Sequence, residues 1–161
     1  MRKLRLAAGL MVFLVMLHSG SVEAGNEDTY ISEEIVGSCV QIGEEDGLCP
    51  EILMALIERE SSGDPKATNG SCKGLCQISE KWHRDRMKRL GVTDIYDPEG
   101  NIRLAADYLM ELADQYEDIG LVLMVYHGEK DAEQKAEEGR ISEYATFILE
   151  RAEQLERLHG K

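Results

Sequence analysis

The chain has 161 residues, of which 18 are basic and 31 acidic, and its formal net charge at pH 7 is −13. A surface of that sign repels polyanions, so the composition argues against nucleic acid as a partner. It argues equally against electrostatic attraction to an anionic lipid or wall polymer. A ligand is therefore expected to be neutral, or to be held in a cleft whose local chemistry outweighs the overall charge.

The first 24 residues have the features of a secretory signal peptide. Three basic residues lie within the first five positions, an apolar run covers residues 7–17, and small residues suited to a signal peptidase stand at 22–24. The run is shorter than the ~20 residues that a membrane-spanning helix needs. We expect the mature chain to begin near Gly25 and to act outside the cytoplasm, in the cell wall, the extracellular space or the periplasm.

Helix-like spacing of apolar residues dominates the rest of the chain. It predicts helices at 32–41, 50–60, 102–116 and 141–158, and a short charged helix is expected at 80–90. Residues 119–126 are nearly all apolar and suit either a buried helix or a strand; their helical neighbours favour a helix. The first helix is expected to end at Gly43, and Asn101 is expected to cap the helix at 102–116. Residues 62–79 are expected to form a loop and residues 130–139 a polar, exposed excursion. We predict a mainly α fold with one domain, in which 25–44 form an N-terminal helix and 45–158 the main body.

Four cysteines suit an oxidising compartment; they are Cys39, Cys49, Cys72 and Cys76. Three pairings are available, and sequence alone does not choose among them. The local bridges Cys39–Cys49 and Cys72–Cys76 are one expectation. Zinc is the rival interpretation, but no second ligand pair of the CxxC or HxxxH type accompanies the thiols. We expect no metal and no cofactor.

Glu60 continues the apolar face of the second predicted helix. It stands seven residues after Leu53 and three after Ile57, which places all three on one face. Glu51 and Glu58 lie off that face and are predicted to be solvated. A carboxyl group on an apolar face loses hydration, which raises its pKa and suits a general acid near neutral pH. The alternative is a surface charge in a frayed last turn.

The segment after Glu60 carries groups that suit a carbohydrate ligand. The sequence Ser61–Pro65 ends the helix sharply, Gly74 permits close approach of the backbone, and the amide of Gln77 can both donate and accept hydrogen bonds. An acid beside such an amide suits a sugar that bears acetamido groups. Asp64, in the same segment, is the best candidate for a second carboxylate.

These residues are similar to the motifs of the soluble lytic transglycosylase (SLT) domain family, within the lysozyme-like superfamily. Several motifs in the family's order are far more specific than any one of them, and the similarity runs from about residue 45 to 156. The matching positions are Ala55-Leu56-Ile57, Glu60-Ser61, Pro65, Ala67, Gly74-Leu75-Cys76-Gln77-Ile78, Asn101-Ile102, Tyr108-Leu109, Tyr126 and Tyr144.

The resemblance implies a lysozyme-like helical domain with a glycan-binding groove, which makes 45–158 the catalytic region. It implies cleavage of the β-1,4 bond between N-acetylmuramic acid and N-acetylglucosamine in peptidoglycan, with a 1,6-anhydromuramic end as product. Glu60 would be the single acid/base. The residues implied to contact the glycan are Ser61, Gly74, Gln77, Tyr126 and Tyr144. For Tyr144, which lies on the apolar stripe of the last helix, core packing is the alternative.

Two positions depart from the family pattern. Cys76 stands where the family usually has Met; it either clamps the loop by bonding Cys72 or acts as a small buried apolar residue. His127 follows Tyr126 where Asn is usual, and a histidine can also be charged, so a part for His127 in the site is left open. Trp82 is interpreted as a helix-packing anchor, with a sugar platform as the alternative.

Three other functions compete with the transglycosylase. The first is a hydrolysing muramidase on the same fold, in which Asp64 or another acid activates water. The second is a non-catalytic peptidoglycan-binding module, and the third is a cysteine peptidase using Cys76 with His83 or His127. The expected partners are glycan strands, bound by a monomer. The acidic charge also suggests delivery by a secretion or conjugation machine that opens the wall locally.

Overall fold

The computed structural model describes residues 29–161, so the predicted signal peptide lies outside the described residues. Seven helices and three short strands are present in this part of the chain: α1 (Glu33–Asp46), α2 (Pro50–Ser61), β1 (Thr68–Asn69), β2 (Cys72–Lys73), β3 (Ile78–Ser79), α3 (Arg84–Leu90), α4 (Pro98–Gln115), α5 (Ile119–Tyr126), α6 (Ala132–Glu137) and α7 (Glu143–Leu158). The mainly α prediction is confirmed. Within residues 29–161, no helix has both the length and the apolar character required to cross a bilayer.

Helix α1 extends past the predicted end at Gly43. Gly43 is buried inside the helix, where a Cβ atom would lie 2.6 Å from the carbonyl oxygen of Leu48. The helix ends instead at Gly47, whose φ of 72° is left-handed and therefore favours glycine. The prediction was wrong because the first glycine serves close packing, whereas the second reverses the chain.

Helix α2 forms the centre of the core. Pro50 occupies its first turn, where the missing N–H costs nothing, and all of residues 51–58 are buried. Its most extensive contacts are with α7, followed by α1. The first turn of α2 contacts the end of α7, where Glu51 pairs with His159. The last turn of α2 contacts the beginning of α7, where Glu60 bonds Tyr144. The two helices are therefore antiparallel neighbours.

Glu51 and Glu58 are buried, although the sequence predicted solvated charges. They are 1% and 7% exposed, because neighbours cover α2 on more than its apolar stripe. Basic side chains partner both: His159 Nδ1 and Lys161 Nζ each lie 2.8 Å from Glu51 Oε1, and Arg151 Nε lies 2.6 Å from Glu58 Oε2. Burial alone raises a carboxyl pKa. The hydrogen bonds reverse that effect, lowering the pKa of Glu51 to about 2 and that of Glu58 below its ordinary value.

The segment predicted as a loop at 62–79 contains a small antiparallel sheet. Thr68 of β1 pairs with Lys73 of β2, and Cys72 of β2 pairs with Ser79 of β3. Strands of two residues are too short to show the alternation by which a strand is predicted. The sheet positions the turn that carries Gln77.

Helix α4 begins four residues before the predicted start at 102. Asp97 is the N-cap, and its Oδ2 accepts a hydrogen bond from Gly100 N at 2.8 Å, while Pro98 takes the first turn. Asn101 is therefore not a cap but a helical residue whose side chain is fully buried. The prediction failed because both Asp and Asn can cap a helix, and only the fold shows which one does.

The polar stretch 130–139 was expected to be an exposed excursion but contains α6. Ala132 is its buried anchor. Lys135 Nζ lies 2.7 Å from a carboxylate oxygen of Glu129, which ties this helix to the end of α5. Within residues 130–139, only two alanines, Ala132 and Ala136, contact the core, so the apolar pattern was too weak to predict the helix.

No disulfide is formed, and all four cysteines are free thiols. The two local bridges are thus not found. Cys39 is fully buried on α1, whereas the Cys49 thiol is directed at Glu156 of α7, 3.3 Å away. Cys76 is fully buried in the core, as expected for a small apolar replacement of Met, while the half-buried Cys72 lies on β2. Cys39 and Cys49 thus differ in burial and in contacts, and so do Cys72 and Cys76.

Candidate active site

Glu60 lies in the last turn of α2 and is half-buried. Its Oε1 accepts a hydrogen bond from the hydroxyl group of Tyr144, which is in the first turn of α7 and 5% exposed. The antiparallel packing of α2 and α7 brings these residues, 84 positions apart in the chain, into contact. Tyr144 therefore serves core packing and also holds the carboxyl group.

The pKa of the Glu60 carboxyl group is raised above its ordinary value. Burial is the largest cause, and it outweighs the hydrogen bond from Tyr144 and the positive charges of His127 and Arg59, all of which lower the pKa. Within residues 29–161, Glu60 forms no ion pair. A carboxyl group that is buried without a paired cation favours its neutral, proton-donating form.

His127 caps the end of α5 and stacks on Tyr144. The two ring centroids are 3.8 Å apart and the rings are inclined by 16°. His127 is exposed, whereas Tyr144 beneath it is buried. The histidine that departs from the family pattern thus contacts the residue that binds the acid.

Asn101 fixes the turn that carries Gln77. Its Oδ1 accepts a hydrogen bond from Cys76 N at 2.8 Å, and its Nδ2 donates to Lys73 O at 3.1 Å and to Ile95 O at 2.8 Å. Gly74 packs directly on this amide, because a Cβ there would lie 2.4 Å from Asn101 Nδ2. The sequence motif marked Asn101, but its role as a loop anchor was missed.

Gln77 has a left-handed backbone, with φ of 50°. Its Nε2 donates to Gly74 O at 2.9 Å and to Ala67 O at 3.3 Å. No residue among 29–161 donates to its Oε1, which leaves that oxygen as an acceptor for a ligand. Helix α5 supports the same turn, because its Tyr126 Oη donates a hydrogen bond to Cys76 O at 2.9 Å.

A cavity of about 260 Å³ adjoins this cluster. Glu60 does not line it, but its charge acts on Tyr126 and His127, which do. Ser79 Oγ, in the wall, is buried and without a hydrogen-bond partner among the described residues. The lining residues are Cys72, Gln77, Ile78, Ser79, Trp82, His83, Tyr108, Val125, Tyr126, His127 and Gly128.

The cavity wall is rich in aromatic rings. Tyr108 lies 4.7 Å from His83 and 5.4 Å from Tyr126, measured between ring centroids. Trp82 is 76% exposed, so its interpretation as a helix-packing anchor was wrong. Exposed aromatic faces next to polar groups form surfaces suited to the apolar faces of a sugar.

Two predicted site residues have local partners instead. The hydroxyl group of Ser61 donates to Ile57 O at 3.2 Å, within its own helix. Asp64 is exposed and accepts a hydrogen bond from Lys66 N at 2.8 Å, which stabilises the turn after α2. Within the described chain, neither makes a hydrogen bond to Glu60.

Comparison with known proteins identifies the family. The model of the transglycosylase SLT domain matches residues 39–146. A transglycosylase of Enterobacteria phage PRD1 is 39% identical over 82 residues, which cover 50% of this chain and 29% of the phage protein.

The fold is similar to the X-ray structure of an inactive mutant of lytic transglycosylase Slt from Pseudomonas aeruginosa. The TM-score is 0.67 at 20% sequence identity, over 77% of this chain and 24% of that one. The chain thus spans about a quarter to a third of the length of these relatives. Because the family model covers more than half of the sequence, the chain belongs to the transglycosylase SLT domain family.

Proposed function

We propose that the chain is an exported peptidoglycan lytic transglycosylase that cleaves the β-1,4 bond between N-acetylmuramic acid and N-acetylglucosamine. The observation that carries the proposal is the state of Glu60. This carboxyl group has a raised pKa, is held by Tyr144 and lies beside an aromatic cavity, in a domain of the SLT family. It is poised to donate a proton, which is the first requirement of glycosidic bond cleavage.

In the first step, protonated Glu60 donates its proton to the glycosidic oxygen. The bond between that oxygen and C1 of the muramic residue breaks, and positive charge develops at C1. The hydroxyl group of Tyr144 donates to the carboxylate that forms, so it stabilises Glu60 as the proton leaves.

In the second step, ionised Glu60 accepts the proton of the C6 hydroxyl group of the same sugar. The C6 oxygen attacks C1 and closes the 1,6-anhydro ring, and Glu60 regains its proton. The nucleophile belongs to the substrate, so this route needs no second carboxylate, in contrast to the two-carboxylate scheme of ordinary glycosidases. The position of Asp64, exposed and bonded to its own turn, supports the same route.

The cavity beside Glu60 suits the sugar rings. We expect Gln77 Oε1 to accept a hydrogen bond from an acetamido N–H group, and the unpaired hydroxyl of Ser79 to bind a sugar hydroxyl. Trp82 and Tyr108 offer aromatic faces for the rings. Neutral contacts of this kind explain how a chain with a net charge of −13 can bind a wall polymer.

The proposal is tested by digesting purified peptidoglycan with the wild-type protein, Glu60→Gln and Asp64→Asn, and measuring product masses. We expect anhydro ends, each one water lighter than a reducing end, from the wild type and from Asp64→Asn. Glu60→Gln should lose at least about 100-fold in rate, as removal of a general acid does.

Other results would contradict the proposal in distinct ways. Reducing ends, together with inactivity of Asp64→Asn, would identify a hydrolysing muramidase. Binding to peptidoglycan without any cleavage by the wild type would identify a binding module. Glu60→Gln at wild-type rate would remove Glu60 from the mechanism.

A further inference from the structure

A second cluster of ionisable side chains lies at the opposite end of α2 from Glu60. Cys49 immediately precedes α2, and Glu51 is in its first turn; Glu156 is in the last turn of α7, and His159 follows it. The thiol and the two carboxylates each place one ligand atom within 4.8 Å of the others. The three donors together can hold a metal ion.

The two sulfur–oxygen distances in the cluster are close to those of tetrahedral coordination. Cys49 Sγ is 3.2 Å from Glu51 Oε2 and 3.3 Å from Glu156 Oε1. A zinc ion bonded to sulfur at about 2.3 Å and to oxygen at about 2.0 Å places those ligand atoms roughly 3.5 Å apart. His159 Nδ1 is 2.8 Å from Glu51 Oε1, so the imidazole adjoins the three donors and is the candidate for a fourth ligand.

The cluster is held by the fold rather than spread over a mobile surface. Glu51 is 1% exposed; Glu51 and Glu156 lie within helices, and Cys49 and His159 are the residues that flank those helices. Cys49 and Glu51 are separated by one residue, while Glu156 and His159 are three apart at the end of α7, which places them on one face. The combination of soft sulfur, imidazole nitrogen and carboxylate oxygen favours zinc over calcium or magnesium.

We propose that Cys49, Glu51, Glu156 and His159 form a structural zinc site that joins the beginning of α2 to the end of α7. Binding replaces the thiol proton, which is released to solvent, and leaves a zinc–thiolate bond. Lys161 Nζ lies 2.8 Å from Glu51 Oε1, and its side chain is 53% exposed. When the metal binds Glu51, the lysine is therefore solvated by water instead.

The site would act on the catalytic end through α2 and α7. Glu51 and Glu60 are nine residues apart on α2, or about 14 Å at the rise of an α-helix, so the ion does not reach the substrate. It would fix the ends of the two helices whose opposite ends present Glu60 and Tyr144. The role is therefore stabilising, and it does not depend on the reaction proposed above.

The test is a titration of the chelator-treated full chain with Co²⁺, followed by displacement with Zn²⁺. We expect one Co²⁺ per chain, a thiolate-to-cobalt absorption band in the near ultraviolet, and one released thiol proton. Cys49→Ser should abolish the band, and Glu156→Gln should weaken binding at least about tenfold. Cys72→Ser and Glu153→Gln, which alter a thiol and a carboxylate outside the cluster, should bind like the wild type.

Far-ultraviolet circular dichroism of each variant separates loss of ligands from loss of fold. Both Cys49 and Glu156 are only half-buried, so these variants are expected to remain folded. The proposal is overturned if the folded wild type shows no cobalt–thiolate band, or if Cys72→Ser removes the band and Cys49→Ser does not. No peptidoglycan is used, so the result is independent of whether the chain cleaves it.

Discussion

Three glutamates share α2, and within the described chain only two of them, Glu51 and Glu58, have a paired cation. Glu51 and Glu58 are almost fully buried but bonded to cations, and their pKa values are lowered. Glu60 is less buried, yet its pKa is raised, because no paired cation among residues 29–161 offsets its burial and the hydrogen bond from the neutral Tyr144 hydroxyl lowers the pKa by less than burial raises it. At the scale of single residues, the partner rather than the depth of burial decides which carboxyl group can act as an acid.

Replacing Glu60 by Gln should stabilise the protein at neutral pH. A raised pKa in the folded state means that ionised Glu60 opposes folding, so wild-type stability falls as pH rises from the unfolded pKa, about 4.3, through the folded pKa. Gln carries no such charge and should raise the free energy of unfolding by roughly 1 kcal/mol at pH 7. Urea denaturation at pH 7 and near pH 3.5 measures this. The gain should vanish at the lower pH; a constant gain at both values would contradict the interpretation.

Removing the hydroxyl group of Tyr144 should change the pH dependence of cleavage. A hydrogen bond to the carboxylate lowers the pKa of Glu60, so Tyr144→Phe should raise that pKa and shift the alkaline fall of activity to higher pH. The rate should also drop at least about tenfold, since the acid loses its orientation. Tyr116→Phe is the control, because Tyr116 donates to Glu133 instead. Identical pH–rate profiles for Tyr144→Phe and wild type would refute this role.

At the scale of elements, the turn between β2 and β3 depends on a helix remote in sequence. The side chain of Asn101, in the first turn of α4, makes three hydrogen bonds to backbone groups at 73, 76 and 95. The turn therefore holds Gln77 in a left-handed conformation without help from a disulfide. The helix supplies the rigidity that the small sheet lacks.

Two glycines in the turns of the small sheet allow the cost of an unfavourable backbone conformation to be measured apart from the cost of a steric clash. Both Gly70 and Gly74 have positive φ values, 59° and 76°, but a Cβ at 70 meets nothing within 4 Å, whereas one at 74 meets Asn101. Gly70→Ala should cost about 1 kcal/mol of stability. Gly74→Ala should cost about 1–3 kcal/mol more and reduce activity, because Asn101 must move. Equal costs in urea denaturation would show that the contact with Asn101 is unimportant.

At the scale of the whole molecule, the pair α2 and α7 links both ends of the described chain to the site. Arg151 of α7 bonds both carboxylate oxygens of Glu58. Thr29 Oγ1 and Tyr30 N donate to the same carboxylate. Glu58 thus joins α2, α7 and the segment before α1, two residues from the catalytic candidate.

Breaking the buried pair of Glu58 and Arg151 should destabilise the fold. Arg151→Met leaves a buried carboxylate without its cation, so we expect the free energy of unfolding to fall by about 3–5 kcal/mol. Since the pKa of Glu58 is lowered, the wild type holds this contribution above pH about 4.3 and loses it as pH falls through the folded pKa. Arg157→Met, which removes an exposed pair with Glu153, should cost less than about 1 kcal/mol.

Denaturation at pH 7 measures both variants. Adding Glu58→Leu to Arg151→Met should recover part of the loss, because an apolar pair leaves no buried charge. A loss for Arg151→Met no larger than that for Arg157→Met would show that the buried pair contributes little.

The chain has a net charge of −13, so an anionic wall would repel it rather than attract it. The predicted signal segment contains three basic residues and one acidic residue, so its removal makes the remainder still more acidic. We expect a secretion or conjugation component to deliver the protein to its substrate. Cross-linking in the producing cell, followed by affinity purification, should recover such a component. Recovery of none would leave diffusion as the means of delivery.

Local patterns predicted the mainly helical fold and the position of Glu60 on an apolar face, while the resemblance to the SLT family implied the other site residues, such as Tyr126 and Tyr144. Apolar periodicity is a property of neighbouring residues, and the same periodicity placed Glu60 on an apolar face. It could not reveal that α7 would cover Glu51 and Glu58, or that the polar segment 130–139 would contain a helix. Both depend on residues distant in the chain.

The order of residues along the chain therefore determined which segments are helices and which carboxyl group continues an apolar stripe. Only the tertiary structure decided the partners: Tyr144 for Glu60, Arg151 for Glu58, Asn101 for the turn at 74–77, and Glu156 for the thiol of Cys49. The physical reason is that a pKa, a buried ion pair and a coordination geometry depend on distances in space. Packing of helices far apart in sequence sets those distances.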